Sequence, residues 1–284
     1  MAIKYYTFDK KIDSIRRATK ELARGNYKYK IYTDLKVQDG SHSEMDFLIE
    51  DINKISQQFV DLENLQTSFL SNVSHEIKTP ITIIKNYSHL LEDENLGLEE
   101  RKNYCKIISD SIEKLNSLVT NILKLNKLEN QKIVLECTAF DLADFLGQTL
   151  LNFESIWEEK NISIDVNLEE NTFVNTDKNF LEIVCNNLIS NALKFTEPRG
   201  KVYVSCYKES NFAAICIQDT GCGISKETGK HIFEKFYQGD TSHKEQGNGL
   251  GLALVKKIID VLGAKISITS ELGKGSTFII KLKA

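Results

Sequence analysis

Proline is nearly missing from these 284 residues: there are two, Pro80 and Pro198, and a single tryptophan, Trp157. So few helix breakers leave room for long uninterrupted helices, and they exclude a proline-rich linker or tail. No apolar run approaches the ~18 residues that a bilayer span requires, and nothing ahead of Lys4 reads as a signal peptide. The six cysteines (Cys105, Cys137, Cys185, Cys206, Cys216 and Cys222) make no C-x-x-C pair and no metal-ligand cluster, so reduced thiols are expected. A net charge of -4 offers no basic excess for nucleic acid. What remains, 41% hydrophobic and 27% charged, is ordinary globular composition, long enough for two or three domains.

The first thing present is a heptad. Leu48, Ile52, Ile55, Phe59, Leu62, Gln66, Phe69 and Val73 alternate by four and three, the seam of a coiled coil with one polar position. At about 100° per residue, His75 falls ~200° round the helix from Val73. It is displayed to solvent beside Ser68, Ser71, Lys78, Thr79 and Thr82. A solvated surface position is the ordinary fate of a lone histidine, and three features point elsewhere. Glu76 is adjacent, and a carboxylate can orient one ring nitrogen and make the other more nucleophilic. Thr79 stands one turn on, within reach of the same space. Pro80 lies inside the helical pattern, where it removes a backbone donor and kinks the helix. The apolar positions also change step, resuming at Ile77, Ile81, Ile84 and Leu91 where a strict heptad would turn Glu76 inward. Such an insertion locally unwinds a supercoil.

Ser74-His75-Glu76-Ile77-Lys78-Thr79-Pro80 resembles the H box, the phosphoacceptor motif of the sensor histidine kinases of two-component signalling. The resemblance implies that His75 accepts a phosphoryl group and that Glu76 acts as base and orienter. Thr79 is then where a phosphatase activity toward the partner would reside.

Upstream, Ile12, Ile15, Thr19 and Leu22 share one face of a helix predicted over 9–24, which closes at Gly25-Asn26. A connector through Ile31, Leu35 and Val37 leads to Gly40. The next helix starts after residues 41–43, with Glu44 and Asp46 in its first turn. This order resembles a HAMP signal-relay domain, carried by Ala23-Arg24-Gly25-Asn26-Tyr27 and Glu44-Met45-Asp46-Phe47-Leu48, without that family's proline near Asp9–Ile12. A plain coiled-coil dimeriser fits the same pattern. The second helix is expected to run unbroken to about Leu91, a rod of ~65 Å.

Residues 92–98 are polar with a glycine, as in a hairpin loop, and a helix is predicted over Leu98–Asn130. It carries one stripe of Ile108, Leu115 and Ile122 and another of Tyr104, Ser111, Leu118 and Leu125. Two antiparallel helices cannot bury both stripes, so two copies pairing as a four-helix bundle, a homodimer, are expected. Beyond 131 the pattern mixes strands (132–137, 162–168, 201–207, 212–218, 265–270, 277–283) with helices (141–160, 179–195, 248–262). Trp157 is expected in the core, and the layers of an α/β sandwich follow.

Asn187, Asn191 and Lys194 fall on one face of the helix over 179–195. Amide oxygens are hard, neutral ligands suited to Mg²⁺, and an ammonium suits phosphate. A polar face left to solvent would look the same. Asp219-Thr220-Gly221-Cys222-Gly223 follows a strand, and its glycines permit tight backbone near a ligand, although many turns share that spacing. Phe233-Glu234-Lys235-Phe236 offers an apolar pair to pack a lid, and residues 237–246 are polar, as a mobile lid would be. Gly247-Asn248-Gly249-Leu250-Gly251 opens a helix, where backbone amides can cradle phosphate. A dinucleotide loop of similar spacing would sit in a βαβ unit, which is not seen around this one. Gly273-Lys274-Gly275-Ser276-Thr277-Phe278 reads as a hairpin turn needing no function.

In this order the segments resemble the N, first glycine, F, second glycine and last glycine boxes of the GHKL superfamily of gyrase, chaperone, histidine kinase and mismatch-repair ATP-binding domains. The resemblance implies ATP and Mg²⁺. Asn191 is then the main metal ligand with Asn187 beside it, Lys194 meets phosphate, and Phe195 borders the adenine. Asp219, with Gly221 and Gly223, reads the adenine; Gly247, Gly249, Leu250 and Gly251 lie at the phosphates; and Thr277 belongs to the same site. Hydrolytic members carry a Glu four residues before the metal asparagine, where this chain has Asn187, which favours a kinase over an ATPase. A catalytically silent scaffold would show a degraded motif, and none is degraded.

The expected fold is an all-α helical hairpin forming a dimeric four-helix bundle, followed by an α/β sandwich of GHKL type. The expected domains are a HAMP-like relay over 1–63, a dimerisation and histidine phosphotransfer domain over 64–130, and a catalytic ATP-binding domain over 131–284. The expected activity is autophosphorylation of His75 and transfer to an aspartate of a response regulator receiver domain. Nucleic acid is not an expected partner, and a membrane is expected only through segments absent from this chain. The chain as it stands is expected in the cytoplasm, or at the cytoplasmic face of the membrane if it is part of a longer sensor.

Overall fold

The computed structural model describes residues 2–32, 44–209, 211–238 and 247–283. They divide into two compact units, Met1–His75 and Glu76–Ala284.

In the first unit, α1 (Ala2–Ala23) and the early part of α2 (Glu44–Leu90) bury Ala18, Ile49 and Ile52 together with Ile31 of the connector. Helix α1 stops at Gly25, whose φ of 86° is a left-handed conformation that costs glycine little. The amides of Gly25 and Asn26 donate back to the carbonyls of Leu22 and Glu21. Along the described part of the connector, up to Tyr32, α2 side chains satisfy the backbone. Asn53 accepts from the Ile31 amide and donates to its carbonyl, each at 3.0 Å. Buried Ser56 donates to the Tyr27 carbonyl, and the Tyr27 ring stacks on Phe59 with centroids 4.8 Å apart. Leu35, Val37, Gly40 and residues 41–43, singled out in the sequence, lie outside the described residues.

The predicted seam is only partly engaged. Ile52 is buried, whereas Leu48, Ile55, Phe59 and Leu62 are between 43% and 60% exposed. The core shared with α1 takes Ile49 beside the seam residue Ile52, Ser56 bonds the connector, and Leu48, Ile55, Phe59 and Leu62 stay largely outward.

In the second unit α2 continues through Pro80 to Leu90, and α3 (Leu98–Asn130) follows after a short turn. The Glu100 carboxylate accepts from the Gly97 amide at the start of α3. Helix α3 buries Ser111, Leu118, Leu125 and Leu128; Ile112, Val119 and Leu123 form a further exposed stripe that periodicity alone did not single out.

The remainder is an α/β layer structure. A two-stranded ribbon joins β1 (Cys137–Asp141) to β3 (Phe173–Asp177). Between them come α4 (Leu142–Leu151), α5 (Glu154–Lys160) and β2 (Ser163–Leu168). Then follow α6 (Lys178–Phe195), β4 (Lys201–Glu209), β5 (Phe212–Asp219), α7 (Lys226–His231), α8 (Gly251–Val261), β6 (Lys265–Glu271) and β7 (Gly275–Lys283). The main sheet has the order β2-β4-β5-β7-β6, parallel only between β2 and β4. Alternate residues of β4, β5 and β7 (Val202, Val204, Ile215, Ile217, Phe278, Ile280) point into one core. The buried faces of α4, α6 and α8 cover it, and Leu118, Leu125 and Leu128 of α3 join the same cluster.

Three local expectations change. The strand expected over 132–137 begins only at Cys137, because its pairing partner is Phe173–Asp177, a five-residue strand too short to stand out in the sequence. The helix expected over 141–160 is two, separated at Asn152-Phe153, with Asp141 capping the first by accepting from the Ala143 amide. The break lets Phe153 and Trp157 rest against the core from its edge, so Trp157 is half-buried rather than central. No described helix is long and apolar enough to cross a membrane.

Replacing Asn53 with Ala removes both bonds to Ile31, a loss of about 1–3 kcal/mol when a partly buried backbone pair is orphaned. Hydrogen exchange at the Ile31 amide should quicken about tenfold or more; an unchanged rate would mean that the Asn53 bonds do not hold the connector.

Candidate functional site

His75 is exposed on α2, as its phase around the helix requires. Glu76 is half-buried, Thr79 is exposed one turn on, and Pro80 is buried. The hydroxyls of Ser74 and Thr82 donate to the carbonyls of Leu70 and Lys78, each four residues back, which satisfies them on the helix itself at a slight cost to its regularity.

Helix α6 is held at both ends. Asp177 caps its start by accepting from the Asn179 and Phe180 amides, each at 3.1 Å. At its far end the Lys160 ammonium donates to the Leu193 and Lys194 carbonyls at 3.1 and 3.0 Å, a cation where the helix dipole is negative. One face is core: Leu181, Val184, Cys185, Leu188, Ile189, Ala192 and Leu193 are buried. Asn187, Asn191 and Lys194 lie half-buried on the other. The Asn187 amide nitrogen donates to the Ile183 carbonyl at 2.7 Å, which turns its oxygen away from the helix.

That oxygen meets the second glycine turn. A Cβ added to Gly251 would lie 2.7 Å from Asn187 Oδ1, and one added to Gly247 would lie 3.2 Å from Lys194 Nζ. The turn therefore runs along the polar face of α6, close enough that side chains at these positions would push the asparagine and lysine aside. Fully buried Leu250 anchors it, and the Phe236 amide donates to the Gly249 carbonyl at 2.8 Å. Most of the expected lid, residues 239–246, lies outside the described residues.

The first glycine turn abuts the end of α6. A Cβ on Gly221 would sit 2.3 Å from the Phe195 carbonyl oxygen, and Phe195 itself is 39% exposed with the Lys194 ammonium 5.2 Å from its ring centre. Gly223 backs onto the Glu271 carbonyl. Asp219 closes β5, only 6% exposed, and its Oδ1 accepts from the Gly221 amide at 2.9 Å and the Ser276 amide at 3.2 Å. Burial holds this carboxyl above the ordinary carboxylate range, and the two amides offset part of that shift. Thr277 pairs with Gln218, beside Asp219.

Two family models match the chain: residues 65–131 match the His Kinase A (phospho-acceptor) domain, and residues 176–284 match the histidine kinase-, DNA gyrase B- and HSP90-like ATPase. The chain is 37% identical over 219 residues, 75% of its length, to the circadian input-output histidine kinase CikA of Synechococcus elongatus. It is 29% identical over 253 residues, 87% of its length, to the sensor protein SrrB of Staphylococcus aureus. Its structure resembles that of histidine kinase ThkA in complex with response regulator protein TrrA, with a TM-score of 0.64 and 25% identity over 86% of this chain and 68% of that one. The chain belongs to the sensor histidine kinases of two-component systems. It spans 29% of the length of CikA and 42% of SrrB.

Within this kinase framework two contributors escaped the sequence reading. Ser276 lies in the segment read as a hairpin turn or the last glycine box, where only Thr277 was singled out, yet the Ser276 amide bonds the buried Asp219. Lys160 lies 33 residues from the carbonyl it caps, a separation that no local motif spans. The favourable placement of a cation at a helix end was visible only once α5 and α6 were packed together.

Because the folded protein binds a proton at Asp219 more tightly than an unfolded chain would, this group favours folding as pH falls through its raised pKa and opposes it above. Asp219→Asn should therefore leave the melting temperature at pH 7 unchanged or higher. A drop of several degrees would show that the ionised carboxylate is net stabilising.

Proposed function

We propose that the chain is an ATP-dependent protein histidine kinase that phosphorylates His75 and passes the phosphoryl group to an aspartate of a response regulator receiver domain. The observation that carries this reading is the pairing of the α6 polar face with the second glycine turn: an outward amide oxygen at Gly251 and an ammonium at Gly247, with a buried carboxylate beyond the far end of the helix. These are complementary, in order, to a metal, a phosphate chain and an adenine. Asp219 accepts from the adenine amine, Gly221 and Gly223 let the ring approach the backbone, and Phe195 borders it; Thr277 lies beside Asp219 on the neighbouring strand. Lys194 and the backbone of Gly247, Gly249, Leu250 and Gly251 hold the phosphates. Asn191 and Asn187 would supply neutral oxygen ligands to Mg²⁺, which when bound would offset the negative charge of the phosphates.

The transfer itself breaks the bond from the γ-phosphorus to the bridging oxygen, releases ADP and forms a phosphorus–nitrogen bond on the His75 ring. Glu76 takes the proton from the imidazole and fixes the ring tautomer. Exposure of His75 is what such an acceptor needs, since a separate lobe has to reach it. Thr79 is the position from which a water attacking the phosphorylated regulator would be held. The partner class follows from ThkA, a kinase seen in complex with a response regulator. The exposed residues Leu48, Ile55, Phe59 and Leu62, and Ile112, Val119 and Leu123 on α3, are stripes that a second copy would cover, which supports the homodimer. Asn187 in place of a carboxylate base supports a kinase over a simple ATPase.

Incubation with γ-labelled ATP should give acid-labile, base-stable label on the wild type and none on His75→Gln; label that persists in the variant would defeat the assignment. Asp219→Ala should weaken ATP binding by about tenfold to a hundredfold, the usual worth of a hydrogen bond to a charged group, while leaving the dimer intact by light scattering.

A further inference from the structure

Asp219 does not set its own orientation. Both bonds from described residues fall on one oxygen, Oδ1, and they come from very different distances in sequence: Gly221 two residues on, and Ser276, 57 residues on, at the last glycine turn. Among the described residues nothing donates to Oδ2. Two amides on Oδ1 fix the plane of the carboxylate and leave Oδ2 as the acceptor that faces any further donor. The Gly221 amide is local and comes with the turn. The Ser276 amide is not: the β5–β7 ladder brings it alongside, with Thr277 opposite Gln218, and something must tether the adjoining 272–274 turn to the Asp219 loop.

Ser270, on β6, does this. Its hydroxyl accepts from the Ile224 amide at 2.8 Å, donates to the Gly275 carbonyl at 2.9 Å, and lies 3.0 Å from the Ser276 hydroxyl. With its single proton committed to Gly275, the Ser276 hydroxyl is the donor of the third bond. Ser270 then uses one donor and two lone pairs, the full capacity of a hydroxyl. The same oxygen thus ties the chain just after the first glycine turn to the two residues flanking the Ser276 amide. Two further contacts make the strap close. The Gly273 amide donates to the Cys222 carbonyl at 2.7 Å, and a Cβ on Gly275 would lie 1.9 Å from the Asp219 carbonyl oxygen, an approach only glycine permits.

We infer that Ser270 is a positioning residue that orients the Asp219 carboxylate through Ser276 and thereby sets the preference of the site for adenine over guanine nucleotides. The inference rests on the proposed nucleotide site. Its physical basis is a difference in donors. Adenine offers an amine at position 6, which Oδ2 accepts, whereas guanine offers a carbonyl there, which a fixed carboxylate oxygen repels. A carboxylate free to rotate would discriminate less, because it could turn its charge away from the carbonyl.

The test uses the whole chain and reads dissociation constants for non-hydrolysable ATP and GTP analogues. Ser270→Ala should weaken the ATP analogue about tenfold, the cost of a lost charge-assisted bond, with no matching loss for the GTP analogue, so that the ATP:GTP ratio falls by about the same factor. Ser270→Cys, whose thiol is a poorer partner, should fall between, and it serves if the alanine variant does not fold. Ser276→Ala keeps the amide and should keep the ratio. Losing an amide that favours the ionised carboxylate should also move the acid limb of ATP affinity to higher pH in Ser270→Ala. An unchanged ratio, or equal losses for both nucleotides, in folded Ser270 variants overturns the inference. Asp219→Ala separates the two readings. If it loses ATP affinity while the Ser270 variants keep their ratio, only the role of Ser270 falls. If it binds ATP like the wild type, the nucleotide site falls with it.

Discussion

Helix α6 has to satisfy two environments with one surface each, and the rest of the nucleotide lobe is arranged by that demand. Seven buried apolar residues commit one side to the sheet and α8. That commitment fixes the rotation of the helix, because a turn of one residue, about 100°, would bury an amide or an ammonium without a partner. Rotation fixed in this way determines where Asn187, Asn191 and Lys194 point. The capping carboxylate of Asp177 and the ammonium of Lys160 then fix the helix along its axis. Polar chemistry on one face is therefore positioned by apolar packing on the other.

Glycine turns are brought against this helix because bulk would keep them away. Gly221 touches the Phe195 carbonyl, Gly251 the Asn187 oxygen and Gly247 the Lys194 ammonium, so the two turns and the helix share one surface. The buried Asp219 is the costly member of the group. Its carboxyl is held above the ordinary range by burial, and only two amides answer it within the described chain. A folded protein that keeps an under-compensated charge spends stability to hold an acceptor ready.

The first compact unit is built differently. Among the described residues its buried apolar core is four, and polar clamps from Asn53 and Ser56 do what a strand pair would do elsewhere. A small core beside a long exposed apolar seam is consistent with a helix whose partner is another chain. The heptad read in the sequence was a real pattern, yet of its first five positions only Ile52 is buried within one chain, beside Ile49 from outside the seam. Periodicity reports that a face is apolar; it does not say which neighbour covers it.

How far the site was legible follows from whether its parts are local. His75 with Glu76, the asparagine face of α6 and both glycine turns are short segments whose spacing carries their meaning, and each appears in the structure where its helix phase or turn puts it. The strand Phe173–Asp177 and the split of α4 from α5 were not legible, because a five-residue strand exists only through its partner and a helix break only through what each half packs against. Sequence by itself determined the inventory: the asparagine and lysine face of α6, the two glycine turns with Asp219, and that His75 faces outward. Tertiary structure alone decided the bonds between residues far apart in the chain, Ser276 and Ser270 with the Asp219 loop and Lys160 with α6. The reason is that a hydrogen bond over 33 or 57 positions leaves no periodic trace; it depends on a distance that only packing creates.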